Sequence, residues 1–287
     1  MANNTAGKTA FVFAGGGSFG AIQVGMLRGL VAYGLRPDFV VGSSVGAINC
    51  AYFAGDPTAA GVARLENIWT GLKRREVFPV TWGHIAGFFS HTASLVDSDG
   101  LRQLIERHLP YRELDKAVIP VHIVATELMS GASVLLSSGS AVDAILASCA
   151  IPAVFPPILV DRRYLIDGAI ASNTPIMTAV DLGATTLIVL PTGYACSLEA
   201  PPASIIANAL HALNMLIAHQ LIRDLEKLAG RVAVMTVPPL CPLAVSPYDF
   251  SRANELIERA AEKTHRWLES GGITRQGIPG ALRPHVD

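Results

Sequence analysis

The chain has 287 residues, 22 Lys+Arg against 23 Asp+Glu, and 51% apolar residues at a mean hydropathy of +0.40. So apolar a chain, only 16% of it charged, buries a large core, which excludes disorder. A net charge of -1, with no basic run longer than Lys73-Arg74-Arg75, argues against a nucleic-acid partner.

A polar N-terminus without a secretory pattern leads into an apolar run at 9–14 that ends in Gly15-Gly16-Gly17. Ile22, Met26, Leu27, Leu30 and Val31 then recur at helical spacing until Gly34 and Pro37. A second buried strand at 38–42 enters Ser43-Ser44-Val45-Gly46 and a small-residue helix at 47–54. Two strand–glycine turn–helix units in succession predict an α/β fold, a central mostly parallel sheet sandwiched by helices.

Helix is predicted over 57–72 and 99–108, the latter capped by Ser98 or Asp99. Between them, 77–96 carries no charge but holds Phe78, Trp82, Phe88 and Phe89 without periodicity. Two readings stay open: a lid or membrane-contact segment, or rings packed in the core.

Strands at 119–126 and 133–136 form a hairpin across Ser130-Gly131, and an alanine-rich helix follows at 141–150. Residues 154–157 form a proline-rich loop, and a short strand at 164–166 leads into Asp167-Gly168-Ala169. A helix is predicted to start near Pro175. Strand at 185–190, a long helix over 203–229, a strand at 231–237, an amphipathic helix at 249–269 and a tail from 271 complete a single domain over 1–287.

The stretch 200–222 is uncharged and long enough to cross a bilayer, but it contains Asn208, His211, Asn214, His219 and Gln220. It reads as a buried amphipathic helix, and the protein as cytoplasmic or peripheral at a membrane. Cys50, Cys149, Cys196 and Cys241 are widely spaced and read as buried free thiols, not metal ligands.

Gly42-Ser43-Ser44-Val45-Gly46 fits G-x-S-x-G between a strand and a helix. A nucleophile can sit there on a strained turn, with the helix N-terminus facing developing negative charge. Ser44 is the candidate; the alternative is an ordinary tight turn. Gly15-Gly16-Gly17-Ser18-Phe19-Gly20 lacks the spacing and the lysine of a phosphate loop. Its backbone N–H groups suit an oxyanion hole, and a close-packed turn is the alternative.

Both turns follow parallel strands and so share the carboxyl edge of the sheet. His211, His219, His265 and His285 are poorly placed for a base, being within helices or in the tail. Asp167 before a glycine can take a serine proton directly; an Asx turn is the alternative.

The glycine loop, the G-x-S-x-G turn and Asp167-Gly168-Ala169, in that order, resemble the patatin-like phospholipases. Ala147-Ser148-Cys149-Ala150-Ile151-Pro152 with Phe155-Pro156-Pro157, and Asn173-Thr174-Pro175, resemble them too. The likeness spans about 9–190.

It implies a Ser-Asp dyad of Ser44 and Asp167 and an oxyanion hole from Gly15, Gly16 and Gly17. The reaction would be hydrolysis of lipid acyl esters without cofactor or metal. Phe19 stands where the family often has a basic residue, which leaves neutral or short acyl esters open and groups Phe19 with the substrate or lid residues. Acyl transfer on the same dyad and a non-catalytic lipid-binding module are the competing readings. None of these motifs encodes an oligomeric state.

Overall fold

The computed structural model describes residues 7–77, 97–193, 205–276 and 278–282. Among these, eight strands form one sheet: β1 (Lys8–Phe13), β2 (Phe39–Ser43), β3 (Val121–Glu127), β4 (Ser133–Leu136), β5 (Ile158–Val160), β6 (Arg163–Ile166), β7 (Ala184–Leu190) and β8 (Ala233–Thr236). The order is β5-β6-β3-β2-β1-β7-β8, with β4 paired to β3. From β3 to β8 along that order every pairing is parallel, whereas β4, β5 and β6 pair antiparallel.

The helices are α1 (Gly20–Ala32), α2 (Val45–Gly55), α3 (Ala59–Gly71), α4 (Arg74–Val77), α5 (Asp99–His108), α6 (Ala141–Ser148), α7 (Ala169–Ser172), α8 (Ile176–Asp181), α9 (Ile205–Leu228) and α10 (Ala253–Glu269).

Alternation along β1 divides the core. Phe11 and Phe13 face a cluster with α1, α2, α6 and α10, while Ala10 and Val12 face one with α8 and the C-terminal part of α9. A strand covered on both faces must be apolar at every position, which is why these runs were continuous in the sequence. α1 lies against α10 through Gly25, where a Cβ would come within 2.2 Å of Ile257 O and 2.8 Å of Ala260 Cβ. Gly25→Ala is therefore expected to cost about 1–3 kcal/mol by overpacking, read as a lower urea midpoint at unchanged m.

Several predicted boundaries shift for local reasons. α10 starts at Ala253, not 249, because Asp249 Oδ1 accepts from Ser251 N at 2.9 Å and holds a turn there. The side chains of Ser98 and Asp99 do not cap α5; Asp97 Oδ1 accepts from Asp99 N instead (3.2 Å).

β5 was hidden behind Pro156-Pro157 and pairs with β6 across Asp161-Arg162, both at positive φ (46° and 64°). Beyond residue 271 the chain is not simply a tail, since Leu282 is buried in the second cluster.

α9 is buried at Leu221, Leu225 and Leu228 but exposed at Met215 and Leu216, so it is not a buried helix throughout. No helix among the described residues is long and apolar enough to cross a membrane. Cys50 and Cys149 are buried free thiols, whereas Cys241 is partly exposed; Cys196 lies outside the described residues.

Candidate active site

β2 delivers Ser44 to the carboxyl edge of the sheet, and α2 begins at the next residue. Ser44 has φ 53° and ψ −129°, a conformation that L-residues rarely adopt. The turn closes this tightly because of Gly46: a Cβ there would lie 2.4 Å from Phe13 O and 2.6 Å from Ala14 O. A strained residue held between strand and helix aims its side chain out of the sheet edge, the geometry of a nucleophile elbow.

Asp167 arrives from β6. Ser44 Oγ donates to its Oδ2 at 2.7 Å, and Ala169 N donates to its Oδ1 at 2.8 Å. Both side chains are buried. Burial raises the Asp167 pKa to about 6, while the Ala169 N–H and the Ser44 hydroxyl oppose the shift. A hydroxyl bonded to a carboxylate of raised pKa is equipped for proton transfer near neutrality.

The carboxylate bonds described go to these two groups and not to a histidine. His265 is exposed on α10 and pairs with Glu269. His285 and the side chains of His211 and His219 lie outside the described residues. Burial also raises the Cys149 thiol pKa well above its ordinary value, so this neighbour stays protonated.

Ser148 ties the Ser44 and Asp167 turns together, a role with no local signal in the sequence. Its Oγ accepts from Ser44 N (2.8 Å) and donates to Val124 O (2.6 Å), and its carbonyl accepts from Gly168 N (3.1 Å). Thr126 Oγ1 donates to Asp167 O at 2.8 Å from the far side. Ser148→Ala leaves a buried N–H and a buried carbonyl unpaired. It is expected to cost about 2–4 kcal/mol in denaturant unfolding. Ser148→Thr, if the site admits the methyl group, restores the bonds.

The glycine loop differs from expectation at one position. Gly15 N donates to Asn173 O at 3.1 Å, and Gly15 O accepts from Thr192 Oγ1 at 2.6 Å. The Gly15 N–H is therefore committed to holding the loop and is not open to a ligand. Gly16 and Gly17 have positive φ (153° and 59°), and their N–H groups meet no backbone acceptor among the described residues. The N–H of Val45, first residue of α2, lies at the helix N-terminus that the G-x-S-x-G reading expected at this edge, though the motif named no residue for it.

Phe19 is corrected as well. It is 2% exposed, closes the short turn Gly17–Phe19 and packs in the core, out of reach of a substrate or a lipid surface. Gln23 anchors this loop from below, donating to Ala14 O (2.8 Å) and Leu190 O (2.9 Å).

Two cavities meet at Ser44 and Gly17. The larger encloses about 700 Å³, mouth included, between α2, α3, α5 and the 149–155 loop; its walls are almost wholly apolar, among them Ile48, Leu65, Leu104, Ile151 and Phe155. Trp69 and Phe250, stacked on each other at 6.2 Å, form part of its wall. The smaller, about 470 Å³, is lined by Gly16, Asp167, Ile170, Asn173, Ile217 and Tyr248 among others. Val77 lines the larger cavity, while Phe78, Trp82, Phe88 and Phe89 lie outside the described residues.

A mostly parallel sheet with helices on both faces makes this an α/β fold, with a serine on a strained strand–helix turn bonded to a buried aspartate at its carboxyl edge. The family model for patatin-like phospholipase matches residues 11–180, and the chain belongs to that family.

It is 27% identical over 195 residues to the putative patatin-like phospholipase domain-containing protein M110.7 of Caenorhabditis elegans, covering 66% of this chain and 17% of that one. Mouse patatin-like phospholipase domain-containing protein 7 is 27% identical over 194 residues, covering 66% and 14%. The uncharacterized NTE family protein Mb1092c of Mycobacterium bovis is 28% identical over 184 residues, covering 63% and 48%. The chain thus spans less than half the length of each of these relatives.

Among solved structures, human GIVD cytosolic phospholipase A2 aligns with a TM-score of 0.48 at 12% identity, covering 96% of this chain and 59% of that one. VipD of Legionella pneumophila aligns with a TM-score of 0.46 at 14% identity, covering 92% and 67%.

Proposed function

We propose that the protein is a serine acyl hydrolase of lipid esters. The observation that carries this reading is the 2.7 Å bond from Ser44 Oγ to Asp167 where an apolar cavity opens. Ser44 Oγ attacks the ester carbonyl carbon while Asp167 Oδ2 takes its proton. The N–H groups of Gly16, Gly17 and Val45 hold the oxyanion. Collapse breaks the bond to the alcohol, which leaves with the proton from Asp167. Water then attacks the acyl-enzyme with Asp167 again as base, restoring Ser44.

The acyl chain lies in the larger, apolar cavity and the alcohol portion in the smaller one. Family membership supports a lipid substrate. The test is a fluorophosphonate probe followed by a lipid-ester panel assayed with and without competing alcohols. Labelling at Ser44 with free fatty acid as product is the expected result. Transesterified product alone would make the protein an acyltransferase. No labelling of the folded chain would leave a lipid-binding module.

A further inference from the structure

We infer that the β5–β6 hairpin and the neighbouring β3–β4 turn form a docking surface for an anionic lipid bilayer; the inference rests on the lipid-ester reading above. The hairpin is the edge of the sheet, and Leu159 pairs with Tyr164, so both project from one face. They are 59% and 53% exposed. Leu128 N donates to Tyr164 O at 2.8 Å, which brings Leu128 and Met129, 43% and 83% exposed, beside them. Single exposed apolar residues are ordinary, but four gather here on two bonded turns.

Charge selects the occupant. Arg162 and Arg163 at the hairpin tip are exposed, and neither guanidinium has an ion-pair partner among the described residues. The acids nearby are Asp161 at the same tip and Glu127, which accepts from Ser130 Oγ. Leu159 and Tyr164 project from one face of the hairpin and Arg163 from the other, so a bilayer meeting the hairpin tip-on takes apolar side chains into its interior and the arginines onto its anionic head groups.

The sheet register places this surface on the catalytic side. Thr126 pairs with Ile166 and Glu127 with Leu165, so Tyr164 and Arg163 stand beyond the carboxyl end of β3. That is the edge from which Ser44 projects. Tyr164 precedes Asp167 by about 10 Å of extended chain. Ile170, 42% exposed, continues the apolar rim into the smaller cavity. A bilayer held here presents ester groups to the mouth of the site.

The experiment is co-sedimentation of the full chain with phosphatidylcholine vesicles, with and without phosphatidylglycerol. Turnover of a soluble short-chain ester is measured in parallel. Wild type is expected to bind the anionic vesicles and to be released by salt. Arg162→Gln with Arg163→Gln should weaken that binding roughly 30-fold at low salt. Leu159→Ser with Tyr164→Ser should weaken it at least about tenfold. Both double variants should keep the soluble-ester activity and melting temperature of wild type.

Wild-type binding by either double variant, or no vesicle binding by wild type, overturns the inference. So does self-association abolished by Leu159→Ser with Tyr164→Ser in place of vesicle binding, since the patch would then serve a second copy. Sedimentation does not require turnover, so Ser44→Ala protein is tested alongside. Vesicle binding by Ser44→Ala equal to wild type is expected; a wild-type chain that binds vesicles but hydrolyses no ester refutes the hydrolase reading and leaves the docking surface standing.

Discussion

Ser44→Ala is expected to reduce ester hydrolysis by about five to six decades, as loss of a nucleophile does when the remaining groups act only with it. The fold should survive. Alanine has a Cβ like serine, so the strain at φ 53° is unchanged, and the elbow is still held through Ser44 N by Ser148. The lost hydrogen bond to the buried Asp167 carboxylate, which keeps the Ala169 N–H, costs about 1.5–3 kcal/mol. Steady-state turnover beside a thermal melt checks both halves. A folded variant with near-wild-type turnover would remove Ser44 from the chemistry.

Asp167→Asn is expected to lower activity by about two to four decades, because the amide nearly keeps the shape but cannot take the proton. The pH dependence supplies a second signature. With a pKa of about 6, Asp167 is ionised and competent as base only above that value. The wild-type kcat/KM should rise with pH through about 6 and then level, and the variant should lose that limb.

Stability should move the other way. The folded pKa is raised above the unfolded value, so the folded state holds the proton more tightly between the two. The stabilisation this contributes is present below about 3.8 and disappears as pH rises to about 6. Asn carries no charge to desolvate, so at pH 7–8 the variant should be more stable than wild type by up to about 3 kcal/mol. Denaturant titrations at pH 5 and pH 8 measure the difference. An unchanged gap between the two proteins would mean that Asp167 is not buried as a carboxylate.

Alanine at His265 is expected to leave turnover unchanged, since its ring is exposed and bonded to Glu269.

Much of the α/β plan was legible because its parts are local. β1 and β2 are continuous apolar runs, each broken by glycines before a helix, and a buried parallel strand has no other composition open to it. Ser44 and Asp167 stood out for a similar reason: each sits in a turn whose few residues limit the backbone. β5 was missed because it has only three residues and follows two prolines. The early start given to α10 overlooked that Asp249 folds back on its own chain.

Local pattern by itself determined that two glycine turns end two buried strands, that a serine occupies one of them and that an aspartate precedes a glycine further on. Only the tertiary structure decided what those groups meet. Ser44 and Asp167 are 123 positions apart and bond directly. Gly15 gives its N–H to Asn173 O, across 158 positions, and is lost as an oxyanion donor. Phe19 turns inward, and the arginines of the β5–β6 hairpin are left unpaired at the catalytic edge. Burial, hydrogen-bond commitment and pKa depend on which distant atoms occupy the same space, and short-range sequence pattern carries no record of that.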